Sequence, residues 1–126
     1  MIVSPDTSVL VEIFEGSQAG KVAFEALHCP CDISAAAVAE ACSRAAKSGV
    51  ATNKIVAACE ELGAIIPLSA TIAQHAGVLY TDIRSRRSKF GMVDAMILAT
   101  AHVQKTTLLT FDNDFRGLPG VTVLKR

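Results

Sequence analysis

The chain has 126 residues, 51 % of them hydrophobic and 5 % aromatic, and its 12 Lys+Arg balance 12 Asp+Glu to give zero net charge. That length suits one domain, residues 1–126, burying about 65–70 % of the surface its unfolded form exposes. Zero net charge excludes a general polyanion binder, and no apolar run reaches the ~18 residues of a membrane span, so nucleic-acid contacts have to be local and no membrane association is expected.

Met1 leads into a short apolar run, Met1–Ser4, that stops at Pro5-Asp6. It reads as a first strand and carries no signal-peptide pattern. Thr7 or Ser8 can cap the helix that follows, Val9 to about Glu15. Gly16-Ser17 breaks it, and Gln18–Leu27 reads as a more polar helix with Val22, Phe24 and Leu27 inward. Pro30 blocks helix, Cys31-Asp32-Ile33 is a second strand, and Ser34 caps the alanine-rich helix Ala35–Lys47. Gly49 stops that helix. Thr52 is placed to cap the next, to about Leu62, with Ile55, Val56 and Cys59 inward. Ala64–Leu68 is a third strand, and Pro67 within it suggests an edge. Ser69 or Thr71 opens a long helix to about Arg87 with Ile72, Ala76, Leu79 and Ile83 in one stripe. Its tail is basic: Arg84, Arg86, Arg87 and Lys89. A further helix runs from about Met92 to Val103, followed by a fourth strand, Thr107–Thr110, a Gly/Pro loop, and a last strand at Val121–Leu124. Strands alternating with helices predict an α/β layer structure with a mostly parallel sheet of four to five strands.

The four cysteines, Cys29, Cys31, Cys42 and Cys59, have no zinc-ribbon spacing and read as reduced thiols of a cytoplasmic protein. His28, His75 and His102 show no metal-ligand spacing and read as structural or solvated.

Phe90–Ala101, FGMVDAMILATA, is apolar nearly all round and reads as a helix buried on most faces. Asp94 interrupts it, with Ile97, Leu98 and Ala101 on its own face. A buried carboxylate needs a cation, a metal or a local hydrogen bond, because the helix dipole offsets only about 0.3–1 kcal/mol. In a parallel α/β sheet, strand ends and helix starts share one edge. Asp6, Glu40, Asp94, Asp112 and Asp114 all map to that edge, where open sheets bind ligands. Converging carboxylates repel one another and fit around a hard cation, with oxygen ligands suiting Mg²⁺ or Mn²⁺. Taken singly, each acid has a plainer reading: Asp6 as a turn residue or an alternative helix cap, Asp112 and Asp114 as turn residues, Asp94 as a solvated first-turn acid, and Glu40 as the i,i+4 partner of Arg44.

Pro5–Leu10, Val38-Ala39-Glu40, Val93–Ala101 and Leu109–Phe115 resemble the signature blocks of PIN-domain ribonucleases, and the chain's short length resembles that of the VapC-type toxins of toxin–antitoxin pairs. The resemblance implies a three-layer α/β/α fold. It implies an acidic quartet of Asp6, Glu40, Asp94 and Asp112, with Asp114 auxiliary and Thr110, Thr7 and Ser8 in support. It also implies Mg²⁺- or Mn²⁺-dependent cleavage of RNA, a homodimer with contacts near Ile55–Leu62 and Leu79–Ile83, and a small antitoxin covering the acidic edge. Pro5 departs from the family, whose members usually carry a plain apolar residue there. Arg84, Arg86, Arg87 and Lys89 are placed to follow an RNA backbone, or equally to end a helix in solvated cations. A haloacid-dehalogenase site would need an Asp at position 8, where Ser8 stands, and a receiver's paired acids and late lysine are not evident. A non-catalytic PIN-like scaffold for RNA or protein is the remaining alternative.

Overall fold

The computed structural model describes residues 2–126. Five strands and six α-helices alternate: β1 (Val3–Pro5), α1 (Thr7–Glu15), α2 (Gln18–Leu27), β2 (Cys31–Ser34), α3 (Ala35–Lys47), α4 (Thr52–Leu62), β3 (Gly63–Ile66), α5 (Ala70–Arg84), α6 (Met92–Gln104), β4 (Thr107–Thr110) and β5 (Val121–Val123). A single 3₁₀ turn, Asn113–Phe115, separates β4 from β5. Met1, expected in the first strand, lies outside the described residues.

Every strand pairing is parallel, as the alternation of elements requires. The pairing divides into a three-stranded sheet, β1-β4-β5, and a two-stranded one, β2-β3. The strands expected in one sheet of four to five are all present, and β2 runs beside β1 at the seam. Strands of three or four residues leave little ladder to bridge that seam. Register places Pro5 against Leu109 in the β1-β4 pair.

Helix α6 is the centre of the core. Ala95, Ile97, Leu98, Ala99 and Ala101 are all buried, with Phe90 packed edge-on against Phe115 just ahead of the helix. Its one buried hydroxyl, Thr100 Oγ1, donates to Met96 O at 2.7 Å and lies 3.3 Å from the Ser34 hydroxyl, tying α6 to the end of β2. Behind this core the cysteines are free; burial pushes the Cys31 thiol up to about 12 and that of Cys59 to about 11, which leaves both inert.

Several local expectations are corrected. The N-cap of α1 is Asp6, so Thr7 and Ser8 are its first helical residues and neither caps it. Ala51, not Thr52, caps α4 and provides no side-chain bond. β3 ends at Ile66, before Pro67. α5 ends at Arg84 rather than Arg87, with Ser85 as its C-cap and Ile83 O accepting from both Arg86 N and Arg87 N in the turn that follows. In α2, Ala23 and Leu27 face the core while Val22 and Phe24 are about half exposed, since one narrow stripe suffices against α1. Of the residues expected at a dimer contact, Cys59, Leu62 and Ile83 are buried within this chain. Val78, one residue before the Leu79–Ile83 stretch of α5, is exposed.

Two glycines set how closely elements approach. A Cβ on Gly63 would lie 1.8 Å from Cys31 O in the β2-β3 pair, and one on Gly20 would lie 2.1 Å from Glu12 O in α1. Gly20→Ala gains helix propensity of about 1 kcal/mol. It must also push two backbones apart, at a cost of about 1–3 kcal/mol or more. The expected outcome is net destabilisation, read as a lower denaturation midpoint. An unchanged or raised midpoint would show that α1 and α2 are not in backbone contact there.

Candidate active site

The carboxyl ends of β1 and β4 lie side by side, and Asp6 and Asp112 follow them. Asp6 N donates to Leu109 O at 2.8 Å, so the β1-β4 ladder continues past Pro5 and the proline does not displace Asp6. The Asp6 side chain is buried, at 5 % exposure. Thr110 Oγ1 donates to Asp6 Oδ2 at 2.7 Å and Ser8 Oγ donates to the same oxygen at 3.1 Å. These hydroxyls also organise the loop after β4: Asp112 N donates to Thr110 Oγ1 at 2.9 Å and Phe111 N donates to Ser8 Oγ at 3.1 Å. Burial pushes the Asp6 carboxyl up; hydrogen bonds from Thr110, from the Thr7 backbone and from Ser8 oppose this, and the Glu40 charge adds to it.

The other acids are each held by a local bond. Glu40 Oε1 accepts from Thr7 Oγ1 at 2.6 Å, which joins α3 to the start of α1. Its expected partner, Arg44, turns instead to Glu15 at 3.3 Å. Asp94 is the third residue of α6, and its Oδ2 accepts from Gly91 N at 2.8 Å, closing the start of that helix. Asp112 Oδ1 accepts from Asp114 N at 2.8 Å and caps the 3₁₀ turn.

Asp94 reports on how these acids converge. Its pKa is raised to about 6, first by burial, against the Gly91 hydrogen bond, and then by the charges of Asp6, Glu40 and Asp112. A solvated first-turn acid would feel none of these. The donor set is therefore four carboxylates from four parts of the chain, all oxygen, within electrostatic reach of one another. That chemistry fits a hard divalent cation. Among the described residues no three of these groups already stand as a closed metal-binding cluster. A cation would draw together side chains that otherwise repel.

Three of the four residues of the basic run also make contacts within the chain. Arg84 lies over the Tyr80 ring and Nη1 donates to Phe90 O at 3.2 Å, closing the turn into α6. Arg86 pairs with Asp82 at 3.1 Å on the surface. Arg87 Nη1 donates to Asp114 O at 2.7 Å and so braces the 3₁₀ turn beside Asp112. Lys89 is exposed, and none of the ion pairs formed among the described residues includes it. Sequence reasoning gave Arg87 no such role, because its acceptor is a backbone carbonyl 27 residues away. It also gave no partner to His75, whose Nε2 lies 3.1 Å from His102 Nδ1.

The raised pKa of Asp94 has a consequence for stability. The carboxyl destabilises the fold only when ionised, a cost absent below its unfolded value of 3.8 and complete above about 6. In EDTA the wild-type thermal midpoint is expected to fall between pH 4 and pH 6.5, and Asp94→Asn to fall less over the same window. Parallel profiles for the two proteins would mean that Asp94 titrates as an ordinary exposed acid.

The PIN domain model matches residues 3–121. Among solved structures, the chain is similar to one from a toxin–antitoxin complex of Klebsiella pneumoniae, with 29 % identity over 98 % of this chain and 99 % of that one, and a TM-score of 0.83. VapBC2 from Rickettsia felis, solved bound to a DNA fragment from its promoter, matches at 21 % identity over 99 % and 98 % of the two chains, TM-score 0.76. VapC20 from Mycobacterium tuberculosis, a toxin that cleaves the sarcin–ricin loop, matches at 16 % identity over 98 % and 99 %, TM-score 0.73. The last two show likeness of fold. No curated protein sequence matches. With nearly its whole length spanned by the family model and its acids gathered at one sheet edge, the chain belongs to the PIN-domain family.

Proposed function

We propose that the protein is a divalent-metal-dependent endoribonuclease and the toxin of a toxin–antitoxin pair. The observation that carries the reading is the approach of Asp6, Glu40 and Asp112 to Asp94, close enough that the charge of each acts on its carboxyl. Membership of the PIN family and likeness to the Klebsiella toxin–antitoxin complex support it. No helix among the described residues is long and apolar enough to cross a membrane, which accords with action on cytoplasmic RNA.

Asp6, Glu40, Asp94 and Asp112 would hold Mg²⁺ or Mn²⁺, with Asp114 auxiliary. Such an ion supplies an activated water for attack on phosphorus and charge to stabilise the leaving oxygen. The protein's own part is positioning. Thr110 and Ser8 fix the rotamer of Asp6 and keep its buried charge solvated by hydroxyls. Gly91 N orients Asp94, Thr7 orients Glu40, and Asp114 N orients Asp112. No side chain has to form a covalent intermediate. The same cluster of negative charge suits a small antitoxin that inserts an Arg or Lys among the carboxylates. A homodimer is proposed on the family likeness.

Asp6→Asn and Asp94→Asn are expected to lower Mn²⁺-dependent cleavage of single-stranded RNA by more than about 100-fold, since even the outer partners of metal ligands are worth about 10–100-fold. Mn²⁺ at about 100 times its dissociation constant should stabilise the wild type by about 2.7 kcal/mol, and both variants should lose most of that gain. Asp114→Asn should do less. Cleavage that survives EDTA, or Mn²⁺ stabilisation equal in all variants, would overturn the shared-site reading. Arrested growth on expression alone, relieved by a protein encoded beside it, would be the outcome expected of a toxin; unaffected growth would point to a housekeeping nuclease.

A further inference from the structure

A basic pocket adjoins the acidic edge. Phe111, Asn113, Arg116, Leu124, Lys125 and Arg126 surround a cavity of about 320 Å³, and none of them is an Asp or Glu. Phe111 and Asn113 are the chain neighbours of Asp112, so the pocket and the acidic site share the loop that follows β4. Arg126 is already compensated: its guanidinium pairs with Glu12 and lies 4.9 Å from the centroid of the Phe111 ring.

Arg116 is held but not neutralised. Its Nε and Nη2 both donate to Asn113 Oδ1, at 3.3 and 2.8 Å. An amide oxygen fixes the direction of the guanidinium and leaves its charge whole. Its Nη1 has no partner among the described residues. Lys125 is exposed, and none of the ion pairs among the described residues includes it. Two uncompensated cations thus stand one short turn from Asp112. Arg86 is neutralised by Asp82, whereas Arg87, like Arg116, donates to a neutral oxygen, Asp114 O, and keeps its charge.

A nucleic-acid strand entering an acidic edge needs such a feature. A cation among the carboxylates compensates the phosphate being cut, and the neighbouring phosphates still meet repulsion. We propose that Arg116 and Lys125 form a subsite for an RNA phosphodiester flanking the bond cut at the acidic edge, with Asn113 positioning the Arg116 fork. Arg suits this task because its planar fork matches phosphate oxygens. The subsite rests on the endoribonuclease reading, and its test separates the two.

The test uses the full chain and a fluorescein-labelled single-stranded RNA of mixed sequence, about 12 nucleotides long. Anisotropy is read in EDTA at several salt concentrations for wild type and for Arg116→Gln/Lys125→Gln. One lost phosphate contact should weaken binding several-fold and reduce the slope of log K against log salt by about 0.7. Both residues are exposed, so the thermal midpoint should not move. In Mn²⁺ the loss of cleavage should sit in KM rather than kcat. Equal affinity and equal slope in the two proteins would overturn the subsite. RNA binding left intact with binding to a polyglutamate peptide lost would overturn it too, and would assign the pocket to an acidic protein segment. If wild type binds RNA through these residues yet cleaves none in Mn²⁺, the subsite stands and the nuclease reading fails. Wild type that binds no RNA in EDTA would overturn the subsite alone if it still cleaves RNA in Mn²⁺, and both readings if it does not.

Discussion

A carboxylate buried just past the end of β1, Asp6, is kept there by two hydroxyls. Thr110 Oγ1 at 2.7 Å and Ser8 Oγ at 3.1 Å reach one of its oxygens, and the same hydroxyls accept the backbone amides of Asp112 and Phe111. One network therefore solvates a charge that burial disfavours and shapes the loop that presents the next acid. Its geometry is fixed by the parallel β1-β4 pair, whose register sets Pro5 beside Leu109 and so Asp6 beside Thr110. Loss of Thr110 Oγ1 would leave Asp6 less solvated and Asp112 N without an acceptor at once.

The remaining acids depend on that edge in turn. Parallel pairing puts strand ends and helix starts together, and Glu40 and Asp94 arrive on α3 and α6. Each is tied down locally, by Thr7 and by Gly91 N. The ties hold the carboxylates in place, and Asp94 is raised to about 6, first by burial and then by the charges of Asp6, Glu40 and Asp112. A fold selected for stability alone would avoid this arrangement, whereas a site that waits for a cation requires it. The same logic extends outward. Arg87 supports the turn beside Asp112 from one side, while Arg116, oriented by the neutral Asn113 amide, keeps its charge on the other.

Much of this was legible in the sequence because it is local. The order of strands and helices follows from hydrophobic period and from Gly and Pro punctuation, and the acids could be assigned to one edge from that order alone. Asp94 was conspicuous because α6 is otherwise apolar, and its local bond to Gly91 follows from a three-residue spacing. What escaped depends on long-range partners. Arg87 reads as a helix-end cation until its carbonyl acceptor 27 residues away is known, and Arg44 reads as the partner of Glu40 until Glu15 is found nearer. Val22 and Phe24 read as core because apolar residues on a short helix do not reveal how wide a stripe the neighbour covers. The division of the sheet at the β1-β2 seam reflects strand lengths that sequence pattern bounds only to a few residues.

The central claim is that Asp6, Glu40, Asp94 and Asp112 serve one cation. Crystals grown with Mn²⁺, measured for anomalous scattering at the manganese edge, test it most directly. The account predicts a strong peak at about 2.0–2.3 Å from oxygens of Asp6 and Asp94, with Glu40 and Asp112 completing the shell directly or through water. A peak elsewhere on the molecule, or none at the carboxyl edge of β1 and β4 at saturating Mn²⁺, would contradict it.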